Sequence, residues 1–114
     1  MLDLKSLVTL VTDTLDDIKA QDVTVIDVTK LTDITARMVI CTGNSARHVK
    51  SIANRLIKAA KDNQHRPIGI EGELEGEWIL VDLDDVVVHI MQPKVREFYS
   101  LEKLWAHPPG QICE

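Results

Sequence analysis

Aromatic rings are scarce in this chain of 114 residues, which has one Phe, one Tyr and two Trp. All four fall within residues 76–105, so a core spread over the whole sequence must be built from aliphatic side chains. Cysteine is scarcer still: Cys41 lies in an apolar run and Cys113 in a stretch of Pro and Gly. A disulfide scaffold and a thiolate metal site are both excluded on that count. No apolar run approaches the roughly 20 residues of a membrane span. The opening MLDLKSLVTLVTDTLDD carries acids where a signal peptide carries its basic segment, which leads us to expect a cytoplasmic protein. There are no internal repeats, no low-complexity linker and no glycine-rich phosphate loop. The expectation is one α/β domain over residues 1–106, followed by a disordered tail at 107–114, HPPGQICE.

What is present is periodic. Leu4, Leu7, Val8, Val11, Leu15 and Ile18 recur at helical spacing and predict a helix over residues 3–20, with Asp3 as its N-cap. Val23 to Val28 and Met38 to Thr42 read as strands. Gly43-Asn44-Ser45 ends the second strand and opens a second helix to about residue 62, whose apolar stripe is Val49, Ile52, Ala53, Leu56, Ile57 and Ala60. Pro67 to Ile70 supplies a short strand. Trp78 to Val81 and Val86 to Met91 then flank the reversal Asp82-Leu83-Asp84-Asp85 and form an acidic hairpin. After Pro93 the period returns to helical, with Val95, Phe98, Leu101 and Trp105. The passage from Cys41 through the second helix to Ile70 implies a parallel crossover, whereas the hairpin is antiparallel, so the sheet should be mixed, with two long helices packed on it.

Charge is segregated. Residues 47–66 hold six Lys or Arg against Asp62 alone, while residues 71–92 hold seven carboxylates and no Lys or Arg. Such a division favours a basic partner at the acidic end. Read alone, the two segments are ordinary solvated faces.

Four features invite chemistry. Asp82 and Asp84 form a D-x-D pair that could hold a divalent cation, as in a metal-dependent nucleotidyltransferase. The Gly-Ser turn of such enzymes would have to stand close before the pair, and here it lies far upstream. Asp at a turn is the better reading. Asn44 and Ser45 before a basic helix could meet a phosphate, yet a helix cap suffices, and His48 beside Arg47 is equally a surface polar residue. His89 falls in VVVHIM on the face opposite Val88 and Ile90, with no metal ligand at suitable spacing and no adjacent Ser or Cys nucleophile, so it reads as a hydrogen-bonded sheet histidine. Trp78, Tyr99 and Trp105 could stack on bases, but Glu77, Asp82, Glu97 and Glu102 beside them would repel a phosphate backbone. Aromatic residues with an acidic rim suit a protein interface better, although Phe98 and Trp105 equally well complete a small core.

One pattern goes further. Gly76-Glu77-Trp78, the apolar strand, Asp82, Val87-Val88-His89, Arg96, Phe98-Tyr99, Leu101-Glu102 and Leu104-Trp105, together with CTGNSARHV at residues 41–49, resemble the signature blocks of the iojap family, the ribosomal silencing factors. The similarity spans about residues 5–105 in register. It implies a nucleotidyltransferase-like topology without the active site, no catalysis and no cofactor or metal. It also implies binding to the large ribosomal subunit at the ribosomal protein numbered fourteen, which would block joining of the small subunit and repress translation. The expected docking surface is Trp78, Asp82, His89, Tyr99, Leu101 and Glu102. The basic second helix would face rRNA phosphate or solvent. An assembly role on the large subunit is the alternative within that class, and a monomer or weak homodimer fits the edge strands. One departure stands out: Ala36-Arg37 occupies a place where the family usually carries an Asp before the second strand.

Overall fold

A computed structural model of the chain describes residues 3–31, 33 and 35–99, leaving aside the side chains of residues 97–99. Its first element, α1 (Leu4–Asp17), starts where the Asp3 carboxylate accepts from the Ser6 N–H at 2.8 Å, satisfying one of the four free donors of a helix start. Leu7, Val11, Thr14 and Leu15 are its buried stripe. The strands β1 (Gln21–Asp27) and β2 (Arg37–Thr42) follow, then α2 (Ala46–Asp62). Ser45 caps α2, its hydroxyl accepting from the His48 N–H at 3.1 Å. Gly43 is required by proximity: a Cβ there would stand 2.8 Å from a Val49 methyl of the helix it introduces. Three strands complete the sheet, β3 (Gly69–Glu71), β4 (Trp78–Asp82) and β5 (Val86–Met91), and Pro93 opens the short α3 (Pro93–Tyr99).

The strands form one mixed sheet in the order β1-β2-β5-β4-β3. Only β2 and β5 are parallel; the other three pairings are antiparallel. The expected crossover from β2 through α2 to β3 does join two strands running the same way. They are not neighbours, however, because the β4–β5 hairpin enters between them and β5 takes the central place.

Period-two alternation divides this sheet into two unlike faces. Val39 and Cys41 of β2, Ile79 and Val81 of β4, and Val86, Val88 and Ile90 of β5 meet the stripes of α1 and α2 in a core that, among the described residues, has no aromatic ring. Met38, Ile40 and Met91 point the other way, where they gather with Val28, Ile26, Trp78 and Val95 in a smaller cluster. The edge strand β1 reaches beyond the helices. Val25, paired with Val39, is 42% exposed, although the sequence of this strand reads as mostly apolar.

A single arginine ties α3 to the far edge of the sheet. The Arg96 guanidinium donates to the Asp22 carbonyl, to the Thr42 hydroxyl at 3.0 Å and to the Thr24 hydroxyl at 3.0 Å. Asp22 sits in the left-handed region (φ 50°) at a register irregularity of β1, which turns its carbonyl toward this partner. Cys41 is fully buried, and burial pushes its thiol up to about 12, which leaves it inert as a nucleophile. The expected stripe at Phe98, Leu101 and Trp105 and the tail at 107–114 lie outside the described residues and side chains.

Candidate protein interaction face

The face away from α1 and α2 carries three of the residues that the sequence pattern singled out, Trp78, Asp82 and His89. On β4, Trp78, Leu80 and Asp82 share this side, and their cross-strand partners on β5 are Met91, His89 and Val87. The register places Trp78 diagonally next to His89, within reach of a long aromatic side chain. The Trp78 Nε1–H donates to His89 Nδ1 at 3.0 Å, with ring centroids 5.8 Å apart and the planes inclined by 48°. An indole nitrogen can only donate, so Nδ1 supplies a lone pair and the ring proton resides on Nε2. His89 is 7% exposed, and burial lowers its pKa to about 4, which keeps the imidazole neutral at ordinary pH.

Beside the indole runs a groove of about 320 Å³, with Trp78, Leu80 and Val95 as its apolar surface and Glu71, Glu75 and Glu77 around it. The loop that brings these carboxylates together is held at both ends. Gly72 (φ 80°) lies so close to β4 that a Cβ would stand 2.1 Å from the Trp78 carbonyl oxygen. At the other end the Gln92 side chain donates to the Gly76 carbonyl at 3.0 Å, and the Gln92 N–H donates to the Glu77 carbonyl at 3.0 Å.

Asp82 is partly exposed at the opposite end of β4, four residues from Trp78, or roughly 13 Å along a strand. Its carboxylate accepts from the Asp84 N–H at 2.9 Å, and Asp84 has φ 76°, so the D-x-D pair builds the hairpin turn. Among the described residues, no group of three or more His, Cys, Asp or Glu side chains is arranged to hold a metal ion. Trp78 and His89 are thus in contact and Asp82 shares their face. Tyr99 ends α3, its side chain outside the described set, as are Leu101 and Glu102 altogether.

Three polar anchors have partners that the local sequence does not announce. Arg96 is one. His48 is another: the Asn44 N–H donates to its Nδ1 at 2.9 Å while its Nε2–H donates to the Ile18 carbonyl at 3.0 Å, bridging the end of α1 to the start of α2. Buried His65 donates to the Leu83 carbonyl at 2.8 Å and so fastens the loop after α2 to the hairpin turn. The basic side of α2 is more open. Arg55 stands 3.9 Å from Asp17 and Lys58 pairs with Asp62 at 2.9 Å, while Arg47 and Lys61 are exposed. The residues at the family departure are also placed: Arg37 reaches Asp27 of the neighbouring strand at 3.2 Å.

These features coincide with a known group. The family model described as "Ribosomal silencing factor during starvation" matches residues 2–113, and the chain belongs to that family. The ribosomal silencing factor RsfS of Haemophilus influenzae is 45% identical over 101 residues, covering 89% of this chain and 99% of that one. The corresponding factor of Chromobacterium violaceum is 41% identical over 104 residues, 91% of this chain and 85% of that one. A crystal structure of a protein from Chromobacterium violaceum superposes with a TM-score of 0.90 at 40% identity, over 94% of this chain and 89% of that chain. The mouse protein named "Mitochondrial assembly of ribosomal large subunit protein 1" is 38% identical over an alignment of 89 positions, covering 75% of this chain and 39% of the mouse protein. Among the described residues, no helix is long and apolar enough to cross a membrane.

Proposed function

We propose that the protein represses translation by binding the large ribosomal subunit through the Trp78 face, and that it acts as a steric plug without chemistry. The partner is the ribosomal protein numbered fourteen, and occupation of its surface keeps the small subunit from joining. The observation that carries this reading is the half-buried indole of Trp78 beside three carboxylates, on the sheet face that the two long helices leave uncovered. An aromatic anchor supplies contact area and the carboxylates select Lys or Arg across the interface. Asp82 shares that face, the family resemblance assigns Tyr99, Leu101 and Glu102 to the same contact, and the basic side of α2 is directed to rRNA phosphate or to solvent.

Sedimentation of the protein with purified ribosomal particles tests it. Retention on free large subunits, absence from joined ribosomes and loss of retention in Trp78→Ala and Glu102→Lys are expected. Unchanged retention by both variants removes the assigned surface. A second reading, assembly of the large subunit, draws on the printed name of the mouse relative. It predicts association with immature particles in preference to mature ones, which the same gradients resolve.

A further inference from the structure

We propose that His89 is a positioning residue of the docking face: it touches no partner, and acts by holding the Trp78 indole in the one orientation that presents its ring to the acidic groove. This rests on the docking reading above and names a residue that works beneath the surface.

Three observations converge on it. His89 is the only polar side chain among the six residues of β5, and it is buried on the face where Trp78 emerges. Its Nδ1 accepts the indole N–H at 3.0 Å, so one edge of the indole is tied to the sheet floor while the ring borders the groove with Glu71, Glu75 and Glu77. The strand register sets this diagonal contact, because Leu80 and not Trp78 stands directly opposite His89. A tryptophan with two free torsions loses conformational freedom on binding; one already fixed by a hydrogen bond does not. His89 thereby lowers the entropic cost of docking without contributing a contact.

The chemistry dictates which replacements separate this role from packing. In His89→Asn the side-chain oxygen falls near the place of Nδ1 and can accept from the indole, whereas His89→Phe keeps a ring of similar shape and offers no acceptor. Retention on large subunits should weaken roughly tenfold in His89→Phe and recover most of the way in His89→Asn. In a Trp78→Phe background, where the donor is gone, His89→Phe should have no further effect. The indole N–H resonance of Trp78 gives a readout independent of the ribosome: it should shift and exchange faster with solvent in His89→Phe and stay near its wild-type position in His89→Asn. Wild-type affinity in His89→Phe, or an equal loss in the Trp78→Phe background, overturns the inference while leaving the docking reading intact. Wild-type protein that ignores large subunits overturns the docking reading instead.

Discussion

The two faces of the sheet differ in kind. Toward α1 and α2 the strands present Val39, Cys41, Ile79, Val81, Val86, Val88 and Ile90, side chains with no directional demands, interdigitated with Leu7, Val11, Leu15, Ile52 and Leu56. On the other side the apolar cluster is small, a neutral imidazole is buried, and an indole lies at the edge of a groove among glutamates. Both faces are made by the same strands. Alternation lets one set of residues carry stability and the next carry recognition, so selection on one face need not disturb the other.

The sharpest way to break that division is to damage each face in turn. Leu56→Ala, at a fully buried position of α2, should cost about 3 kcal/mol of unfolding free energy in a urea titration. The folded fraction should still bind large subunits with wild-type affinity. Trp78→Ala should do the reverse, abolishing retention while the urea midpoint falls by less than it does for Leu56→Ala. A parallel loss of both properties in either variant would show that the faces are coupled.

Acid separates the faces by another route. Burial depresses the pKa of His89 to about 4 from an ordinary value of 6.5, so between those values the unfolded chain binds a proton that the folded chain does not. Stability should therefore be unaffected by this group above about pH 6.5, decline as pH falls toward 4, and lose up to roughly 3 kcal/mol in all. The difference between the pH profiles of wild type and His89→Asn isolates this contribution from the carboxylates. A flat difference curve would mean that the imidazole is not sealed beneath Trp78.

Gly72→Ala sharpens the comparison at the groove. A methyl group 2.1 Å from the Trp78 carbonyl cannot be accommodated and φ 80° disfavours it further, so the acidic loop must move off β4. A stability loss of about 1–3 kcal/mol is expected, together with weaker subunit binding, because this loop brings Glu71, Glu75 and Glu77 to the indole. The smallest effect belongs to the basic helix. Lys58→Ala removes an exposed pair with Asp62 and should change stability by only about 0.3–0.5 kcal/mol, with subunit affinity reporting whether this side meets RNA.

Much of this architecture is legible in the residues. The helical recurrence from Leu4 to Ile18, the cap at Asp3 and the alternation that sends His89 away from Val88 and Ile90 are local patterns, and local physics enforces them. The strand order is not local. Nothing near β2 announces that its parallel partner is β5, since Arg37 meets Val86 and Thr42 meets Met91 across α2 and two other strands. Arg96 was visible only as a motif residue, because its acceptors at Asp22, Thr24 and Thr42 come together through tertiary folding. The charge count found the acidic run, and the aromatic signal found Trp78. That the run folds back to line a groove beside the indole depends on Gly72 and Gly76 with positive φ, a backbone property that composition does not report.

Because β5 is synthesised last of the five strands and lodges in the middle, the β1–β2 pair and the later β3–β4 pair have no strand to join them into one sheet until residues 86–91 are made. A chain interrupted before Val86 has no keystone. Folding must then be nearly all-or-none and largely postponed until the final strand has left the exit tunnel, so premature termination anywhere upstream should yield material for proteases and no partly active fragment.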